Sequence, residues 1–189
     1  SACLVGSEMC IRDSITGTAR GRKLLEPSGM DIRPTADVVK EAVFNIIQFD
    51  IEGRRVLDLF AGTGQLGIEA LSRGAAECVF VDESAKAVKL VRENLSRCKL
   101  QGRVMQADAL ACLSRGEKYD IIFLDPPYDT TLLDKCLEIV QNVDILTDGG
   151  IIVCESRREK TLPELKAPLS RVLDRVYGKI KITVYKKET

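Results

Sequence analysis

The fold of this chain is decided by a strand that runs into a glycine turn, Val56-Leu57-Asp58-Leu59-Phe60-Ala61-Gly62-Thr63-Gly64. The helical pattern Leu66-Gly67-Ile68-Glu69-Ala70-Leu71 follows it. Glycines in the turn let the backbone adopt positive φ and approach a ligand closely. With Gly67 the segment formally matches G-x-G-x-x-G, a dinucleotide-binding pattern. Asp58 and Phe60 favour a different ligand, because an acid suits an ammonium or sulfonium group better than a pyrophosphate.

Working outward, three more apolar runs end in an aspartate, at Asp82, Asp108 and Asp125. Asp82 follows the glycine turn by about twenty residues, the spacing expected for an acid that binds ribose hydroxyls. Asp108 is placed to accept from an adenine amino group, and a helix N-cap is the open alternative for it. Four acids at one sheet edge fit S-adenosylmethionine, which combines a cationic amino acid portion, a ribose and an adenine. The predicted cofactor-binding residues are Asp58, Phe60, Ala61, Gly62, Thr63, Gly64, Asp82, Glu83, Asp108, Ala109 and Asp125.

The tetrapeptide Asp125-Pro126-Pro127-Tyr128 follows the apolar run 119–124 and predicts a clamp for a planar amino group. Open α/β sheets bind ligands at the carboxyl ends of their strands. The Asp125 carboxylate and the Pro126 carbonyl can both accept from one NH2 group, and neither proline has a competing N–H. Tyr128 can stack on a flat ring. We therefore predict that the catalytic residues are Asp125, Pro126, Pro127 and Tyr128.

Strand and helix patterns alternate along the rest of the chain, which predicts a parallel, doubly wound sheet. Strands are expected at 54–59, 77–82, 103–107, 119–124 and 150–155, and helices at 34–48, 65–73, 84–97, 109–115 and 130–141. A closing hairpin over 169–177 and 180–186 and a short N-terminal hairpin over 14–26 complete the prediction. The expected fold class is α/β: a Rossmann-like, seven-stranded sheet, mostly parallel, with an antiparallel strand from the C-terminal hairpin.

Length and composition fit one catalytic domain without a membrane span. The chain has 189 residues, and no apolar run approaches the roughly 18 residues that a span needs. Seven cysteines without C-x-x-C pairs suggest reduced thiols in a cytoplasmic protein. The absence of histidine excludes histidine bases and Ser/His/Asp triads, and no metal is expected. We expect residues 1–13 to be a non-native or disordered leader, 14–50 an N-terminal extension and 51–189 the catalytic domain.

The four segments 15–24, 33–45, 56–64 and 123–128 together resemble the bacterial small-subunit rRNA guanine-N2 methyltransferase D family, a class I S-adenosylmethionine-dependent group. The resemblance extends from about residue 14 to the end. It implies methylation of one guanine, 966 in the usual numbering of 16S rRNA. The implied partner is 16S rRNA, within an assembling 30S subunit, and the enzyme is expected to be a monomer.

Basic residues in the N-terminal region are the candidates for RNA contact. The net charge is zero, with 28 basic and 28 acidic residues, which by itself argues against a nucleic-acid substrate. The family resemblance favours RNA, and a local phosphate-binding patch beside the active site is predicted from a cluster poor in acids. Arg157, Arg158 and Lys160 would extend it. The predicted RNA-binding residues are Arg20, Arg22, Lys23, Arg33 and Thr35.

The mechanism that these residues favour is direct methyl transfer to a guanine flipped out of its surroundings. Three alternatives stay open at this point. One is another amino-group methyltransferase, acting on adenine N6 of DNA or RNA or on glutamine N5 of a protein. The second is a nicotinamide-dependent oxidoreductase, which the formal glycine match allows but which gives the Asp-Pro-Pro-Tyr segment no role. The third is a non-catalytic module that keeps a cofactor pocket.

Overall fold

A computed structural model of the chain describes residues 17–26, 34–128 and 130–189. Five helices and a short 3-10 helix, Gly17–Ala19, alternate with seven strands. The helices are α1 (Pro34–Ile46), α2 (Gln65–Ser72), α3 (Ala85–Cys98), α4 (Ala109–Leu113) and α5 (Leu132–Asn142). The strands are β1 (Arg55–Asp58), β2 (Glu77–Asp82), β3 (Arg103–Gln106), β4 (Tyr119–Leu124), β5 (Leu146–Arg157), β6 (Leu169–Tyr177) and β7 (Ile180–Lys187).

All seven strands form one sheet in the order β3-β2-β1-β4-β5-β7-β6. The first five strands are parallel, whereas β7 runs antiparallel to both β5 and β6. The chain therefore reverses its direction of travel across the sheet between β1 and β4. Such a switch point opens a crevice at the carboxyl ends of the strands. The predicted mostly parallel sheet with an antiparallel C-terminal strand is confirmed.

Both faces of the sheet are buried, and side-chain parity decides which helices cover which residue. In β4, Ile121 and Phe123 face the layer formed by α1, α2 and α3. Ile122 and Leu124 face the layer formed by α4 and α5. This arrangement explains why the strands read as continuous apolar runs, which is typical of a parallel sheet with helices on both faces.

The N-terminal hairpin predicted over residues 14–26 is wrong where the structure describes it. Residues 17–26 form the 3-10 helix and an extended segment with one isolated bridge residue, Leu24. The Ala19 N–H donates to Ser72 Oγ over 2.9 Å. Ala19 and Leu24 are buried in the core on the α1–α3 side. Packing against the domain thus accounts for the buried residues of this segment. Residues 14–16, like the leader 1–13, lie outside the described residues.

No helix in the described ranges is long and apolar enough to cross a membrane. Five cysteines, all buried and unpaired, lie in these ranges: Cys78, Cys98, Cys112, Cys136 and Cys154.

The third glycine of the motif, Gly67, sets the distance between α2 and the sheet. A Cβ atom at this position would lie 2.3 Å from Phe80 Cε1 and 2.6 Å from Cys78 Sγ. Both neighbours are fully buried side chains of β2. Only a residue without a side chain therefore lets α2 approach β2 closely enough to position the turn that precedes it.

We predict that Gly67→Ala lowers the free energy of unfolding by about 1–3 kcal/mol, because the added methyl group overpacks the α2–β2 interface. Urea denaturation of the purified variant measures the change. Lys86→Ala, at an exposed position of α3, serves as the control and should alter the free energy by less than about 0.5 kcal/mol. An unchanged midpoint for Gly67→Ala would show that the interface can expand at no cost.

Candidate active site

A cavity of about 560 Å³ opens at the carboxyl ends of the parallel strands. Its volume lies within the range of small-molecule and cofactor sites. The wall is mainly apolar and contains four acidic side chains. The lining residues are Leu59, Phe60, Gly62, Asp82, Glu83, Ala107, Asp108, Ala109, Asp125, Pro126, Pro127, Tyr128 and Leu132. The structure thus brings together seven of the predicted cofactor-binding residues and the whole predicted clamp.

The glycine turn is held in place by Asp82. Gly62 and Gly64 have φ values of 53° and 80°, in the left-handed region that glycine tolerates. The Gly62 N–H donates to Asp82 Oδ2 and the Ser84 N–H donates to Asp82 Oδ1, each over 2.9 Å. Asp82 therefore ties the turn after β1 to the start of α3. Its contact with a ribose stays a prediction.

Asp58 acts as a buried cap for α2. The helix begins after Gly64, which has no side chain to cap it, and Asp58 Oδ2 accepts from the Gly67 N–H over 2.9 Å. The carboxyl is 2% exposed, and burial raises its pKa to about 7 even though this hydrogen bond opposes the shift. Asp58 does not line the cavity. Its role toward the cationic end of a cofactor remains a prediction.

Asp108 lines the cavity and also caps α4. Its Oδ1 accepts from the Ala111 N–H over 2.8 Å. The N-cap alternative given by the sequence is therefore confirmed, and only one of the two carboxylate oxygens is used in it. Contact with an adenine stays a prediction.

Ala61, Thr63 and Gly64, three of the predicted cofactor residues, lie in the turn but not on the cavity wall. Asn94 of α3, which is fully buried, holds the backbone of this turn at Thr63. Asn94 Nδ2 donates to the carbonyls of Thr63 and Leu25, over 2.9 and 3.0 Å, and its Oδ1 accepts from the Leu25 N–H over 2.7 Å. One side chain thus joins the glycine turn to the N-terminal segment. Sequence reasoning missed it, since its partners lie 31 and 69 residues away.

The clamp segment follows β4, and two other acids, Glu155 and Asp58, lie near its Asp125. Burial, then the charge of Glu155, then that of Asp58, raise the pKa of Asp125 well above its ordinary value. Burial also raises the pKa of Glu155, against the effect of a hydrogen bond from Tyr128. The Tyr128 hydroxyl donates to Glu155 Oε1, and Pro127 O accepts from Thr130 Oγ1 over 2.8 Å. A cationic ligand beside these groups would stabilise their ionised forms.

Four residues at the site escaped the sequence analysis. Leu59, Ala107 and Leu132 line the cavity. They are apolar residues next to strand ends or a helix start, and no local pattern separates such residues from core positions. Glu155 has a signal that could have been used, because it is an acid at the end of the predicted strand 150–155, like the aspartates of the other strands.

The basic residues divide into two groups. Arg22 Nη1 donates to the Arg97 carbonyl over 2.5 Å, at the C-terminal end of α3. Arg20, Arg22 and Lys23 do not line the cavity, Arg33 lies outside the described residues, and the side chain of Thr35 is not described. In contrast, Arg157 and Lys160 line a small cleft beside Tyr128. The predicted RNA-binding role of the first group is not tested by these positions.

No group of three or more His, Cys, Asp or Glu side chains in the described part of the chain is arranged to hold a metal ion.

Comparison with known proteins identifies the family. The model described as Conserved hypothetical protein 95 matches residues 14–186. The chain is 41% identical over 179 residues to "Putative rRNA methyltransferase YlbH" of Bacillus subtilis, covering 92% of this chain and 97% of that protein. It is 35% identical over 176 residues to Ribosomal RNA small subunit methyltransferase D of Escherichia coli, covering 92% of this chain and 89% of that protein.

Solved structures agree with this similarity. The yhhF protein of Escherichia coli superposes with a TM-score of 0.85 at 34% identity, over 94% of this chain and 98% of that one. The 16S rRNA N2 G1207 methyltransferase of Thermus thermophilus, solved with AdoMet and guanosine, has a TM-score of 0.67 at 20% identity. It covers 89% of this chain and 47% of the other, and it supports the fold alone.

The fold and the strand-end cavity are therefore those of a class I methyltransferase. The chain belongs to the Conserved hypothetical protein 95 family, and the resemblance to the methyltransferase D group is confirmed.

We predict that Asn94→Ala lowers the free energy of unfolding by about 2–4 kcal/mol, because it leaves two carbonyls and one N–H without their partner. Asn94→Asp should be no better, since a carboxylate cannot donate to the carbonyls of Thr63 and Leu25. Urea denaturation measures both. Asn142→Ala, which removes one exposed hydrogen bond to Glu138 O, is the control and should cost less than about 1 kcal/mol. Native stability of Asn94→Asp would contradict the assigned bonding.

Proposed function

We propose that this protein is an S-adenosylmethionine-dependent methyltransferase of small-subunit ribosomal RNA. Its target is the exocyclic N2 amino group of one guanine, which the family resemblance gives as guanine 966 of 16S rRNA. The observation that carries the proposal is that the Asp125-Pro126-Pro127-Tyr128 clamp lines the same cavity as Asp82 and Asp108. A cofactor that spans β2 and β3 would therefore end beside a group built to hold an amine.

The residues present fit S-adenosylmethionine. Three buried or partly buried carboxyls, those of Asp58, Asp125 and Glu155, have raised pKa values that a cation would lower. Asp82, Glu83, Asp108 and Ala109 line the cavity at the ends of β2 and β3. In the proposed complex, Asp82 and Glu83 would hold ribose hydroxyls, and Asp108 with Ala109 would hold an adenine. When bound, the cofactor supplies an electrophilic methyl group on a sulfonium. The pyrophosphate of an NAD-type cofactor would instead lie beside these acids. Repulsion between the like charges disfavours the oxidoreductase alternative.

The clamp residues activate and orient the amine. In guanine the N2 lone pair is delocalised into the ring and is weakly nucleophilic. Hydrogen bonds from N2 to the Asp125 carboxylate and the Pro126 carbonyl favour a pyramidal nitrogen with a localised lone pair. Tyr128 stacks on the base, and much of the rate gain comes from fixing the two reactants in register. The Asp125 carboxylate holds the proton that the amine loses.

Contact with RNA is supported by charge close to the clamp. The Arg157 guanidinium carbon lies 5.8 Å from the centre of the Tyr128 ring. Lys160 lines the same cleft and forms an ion pair with Asp134 over 2.6 Å. Cationic side chains at this edge would neutralise phosphates next to a flipped nucleotide. We expect a monomeric enzyme that acts on rRNA within an assembling 30S subunit.

The proposal is tested by transfer of labelled methyl from S-adenosylmethionine to 30S subunits lacking the modification, with naked 16S rRNA, DNA and protein extract assayed in parallel. Nucleoside analysis should recover the label as N2-methylguanosine. Label in N6-methyladenosine or in protein would preserve the clamp chemistry but overturn the substrate assignment. Absence of label in every sample would contradict the catalytic proposal.

For the clamp itself, we predict that Asp125→Ala lowers turnover by at least about 10³-fold, because both the acceptor and the proton site are lost. Asp125→Asn keeps one acceptor oxygen but cannot take up the proton, and should lose roughly 10²-fold. Single-turnover assays and calorimetry separate turnover from cofactor affinity, which should change much less than turnover does.

The matched control for the Asp125 variants is Asp144→Asn. Asp144 is an exposed carboxylate whose bonds to Lys118 and Lys187 lower its pKa to about 2, and it lies before the start of β5, at the opposite end of the sheet from the clamp. Turnover of this variant should equal that of the native protein. Near-native turnover of Asp125→Ala would show that Asp125 has no part in the mechanism.

A further inference from the structure

Glu155 occupies a special place beside the clamp. Leu124, the last residue of β4, pairs with Cys154 of β5, so the residues that follow them, Asp125 just after β4 and Glu155 on β5, stand at the same level of the sheet. Parity puts both on the side faced by Phe123 and Val153. Adjacent strands lie about 4.8 Å apart. Glu155 is therefore the nearest neighbour of the catalytic carboxyl on the next strand, yet it does not line the large cavity.

Tyr128 stands between that cavity and Glu155. Its side chain, with those of Pro126 and Pro127, lines both the large cavity and the small cleft that contains Glu155, Arg157 and Lys160. On the cleft side, the hydroxyl donates to Glu155 Oε1 and the Arg157 guanidinium lies over the ring. A phenol bound to a carboxylate forms a charge-assisted hydrogen bond, which is stronger than a neutral one. The ring is thus anchored from the side that faces away from the large cavity.

Anchoring matters because Tyr128 lies on a loop. Residue 128 is in a turn after β4 and Pro127 is exposed, whereas Glu155 belongs to a twelve-residue strand paired on both sides. A side chain that is fixed before binding avoids a loss of rotamer freedom worth roughly 3- to 10-fold in affinity. The hydrogen bond from the Tyr128 hydroxyl to Glu155 therefore holds a side chain of the loop against a rigid strand.

Resting on the proposed function, we propose that Glu155 is a positioning residue for methyl transfer, which holds the Tyr128 ring in the orientation that stacks on the target guanine. It acts through the tyrosine hydroxyl and does not touch the base or the cofactor. The charge of Glu155 also contributes to the raised pKa of Asp125, second to burial. Among the described residues, Asp58, Tyr128, Arg157 and Lys160 also lie around this pair.

A double-mutant cycle on Tyr128→Phe and Glu155→Ala tests the proposal, with 30S subunits lacking the modification as substrate. Each single variant should raise the KM for the subunits by roughly 3- to 10-fold, with a smaller fall in kcat and an unchanged Kd for S-adenosylmethionine. The KM of the double variant should not exceed the higher of the two single-variant values, because both substitutions remove the same bond. Glu155→Gln, which still accepts from the hydroxyl, should restore KM to within about twofold of the native value.

The control removes a similar bond elsewhere on β4. The Tyr119 hydroxyl donates to Glu117 Oε2 over 3.3 Å at the opposite end of that strand. Tyr119→Phe should leave the KM for the subunits unchanged. Additive effects in the cycle, a Gln variant as impaired as the Ala variant, or a lower melting temperature of Glu155→Ala with native KM would each overturn the positioning role.

A second readout keeps this proposal separable from the proposed function. NMR spectra of protein containing isotope-labelled tyrosine report the Tyr128 ring without any substrate. The native protein and Glu155→Gln should give one sharp, shifted Tyr128 signal, and Glu155→Ala a broadened or averaged one. If the native protein methylates no RNA, the proposed function fails, and the spectra still decide whether Glu155 fixes the ring. A Tyr128 signal unaffected by Glu155→Ala would contradict the proposal.

Discussion

Carboxyl groups of like charge, withdrawn from water at the ends of adjacent strands, are the constraint on which this site depends. Asp58 ends β1, Asp125 directly follows β4, and Glu155 lies near the end of β5. Burial is the first cause of the raised pKa of each carboxyl. Burial makes the ionised form of each group less favourable, and a nearby cation makes it more favourable. A sulfonium or ammonium group beside these carboxyls would stabilise their ionised forms, and the ionised form of Asp125 is the acceptor that the proposed mechanism requires.

The rest of the fold keeps these groups in place. Gly67 lets α2 lie close to β2, and the Gly67 N–H donates to Asp58. The turn between β1 and α2 is held at Gly62 by Asp82 and at Thr63 by Asn94. Rigid elements thus form the β1 and β2 side of the cavity. On the β4 side the clamp is a loop, and Glu155 gives it a rigid partner. Precise positioning is the contribution that a methyltransferase of this kind must make, since the electrophile comes ready-made with the cofactor.

The sheet and most of the site were predictable because their signals are local. Continuous apolar runs mark strands buried on both faces, and each predicted aspartate directly ends such a run. Parts that depend on distant contacts were not predictable. Tyr128 and Glu155 are 27 residues apart. Asn94 reads as an ordinary polar helix residue until its partners in the turn and the N-terminal segment are known. The alternation near Leu24 predicts a hairpin, although Leu24 packs in the domain core, since a pattern alone does not distinguish packing on helices from pairing with a strand.

The most direct test of this account is calorimetry of S-adenosylmethionine binding in buffers of different ionisation enthalpy, with S-adenosylhomocysteine as the ligand that lacks the sulfonium charge. A cation lowers the raised pKa values of the buried carboxyls, so S-adenosylmethionine should release protons on binding, and its affinity should increase as pH rises through those pKa values. S-adenosylhomocysteine should release fewer protons. Binding of S-adenosylmethionine with no proton release, or with proton uptake, would contradict the claim that buried carboxyls select the cationic cofactor.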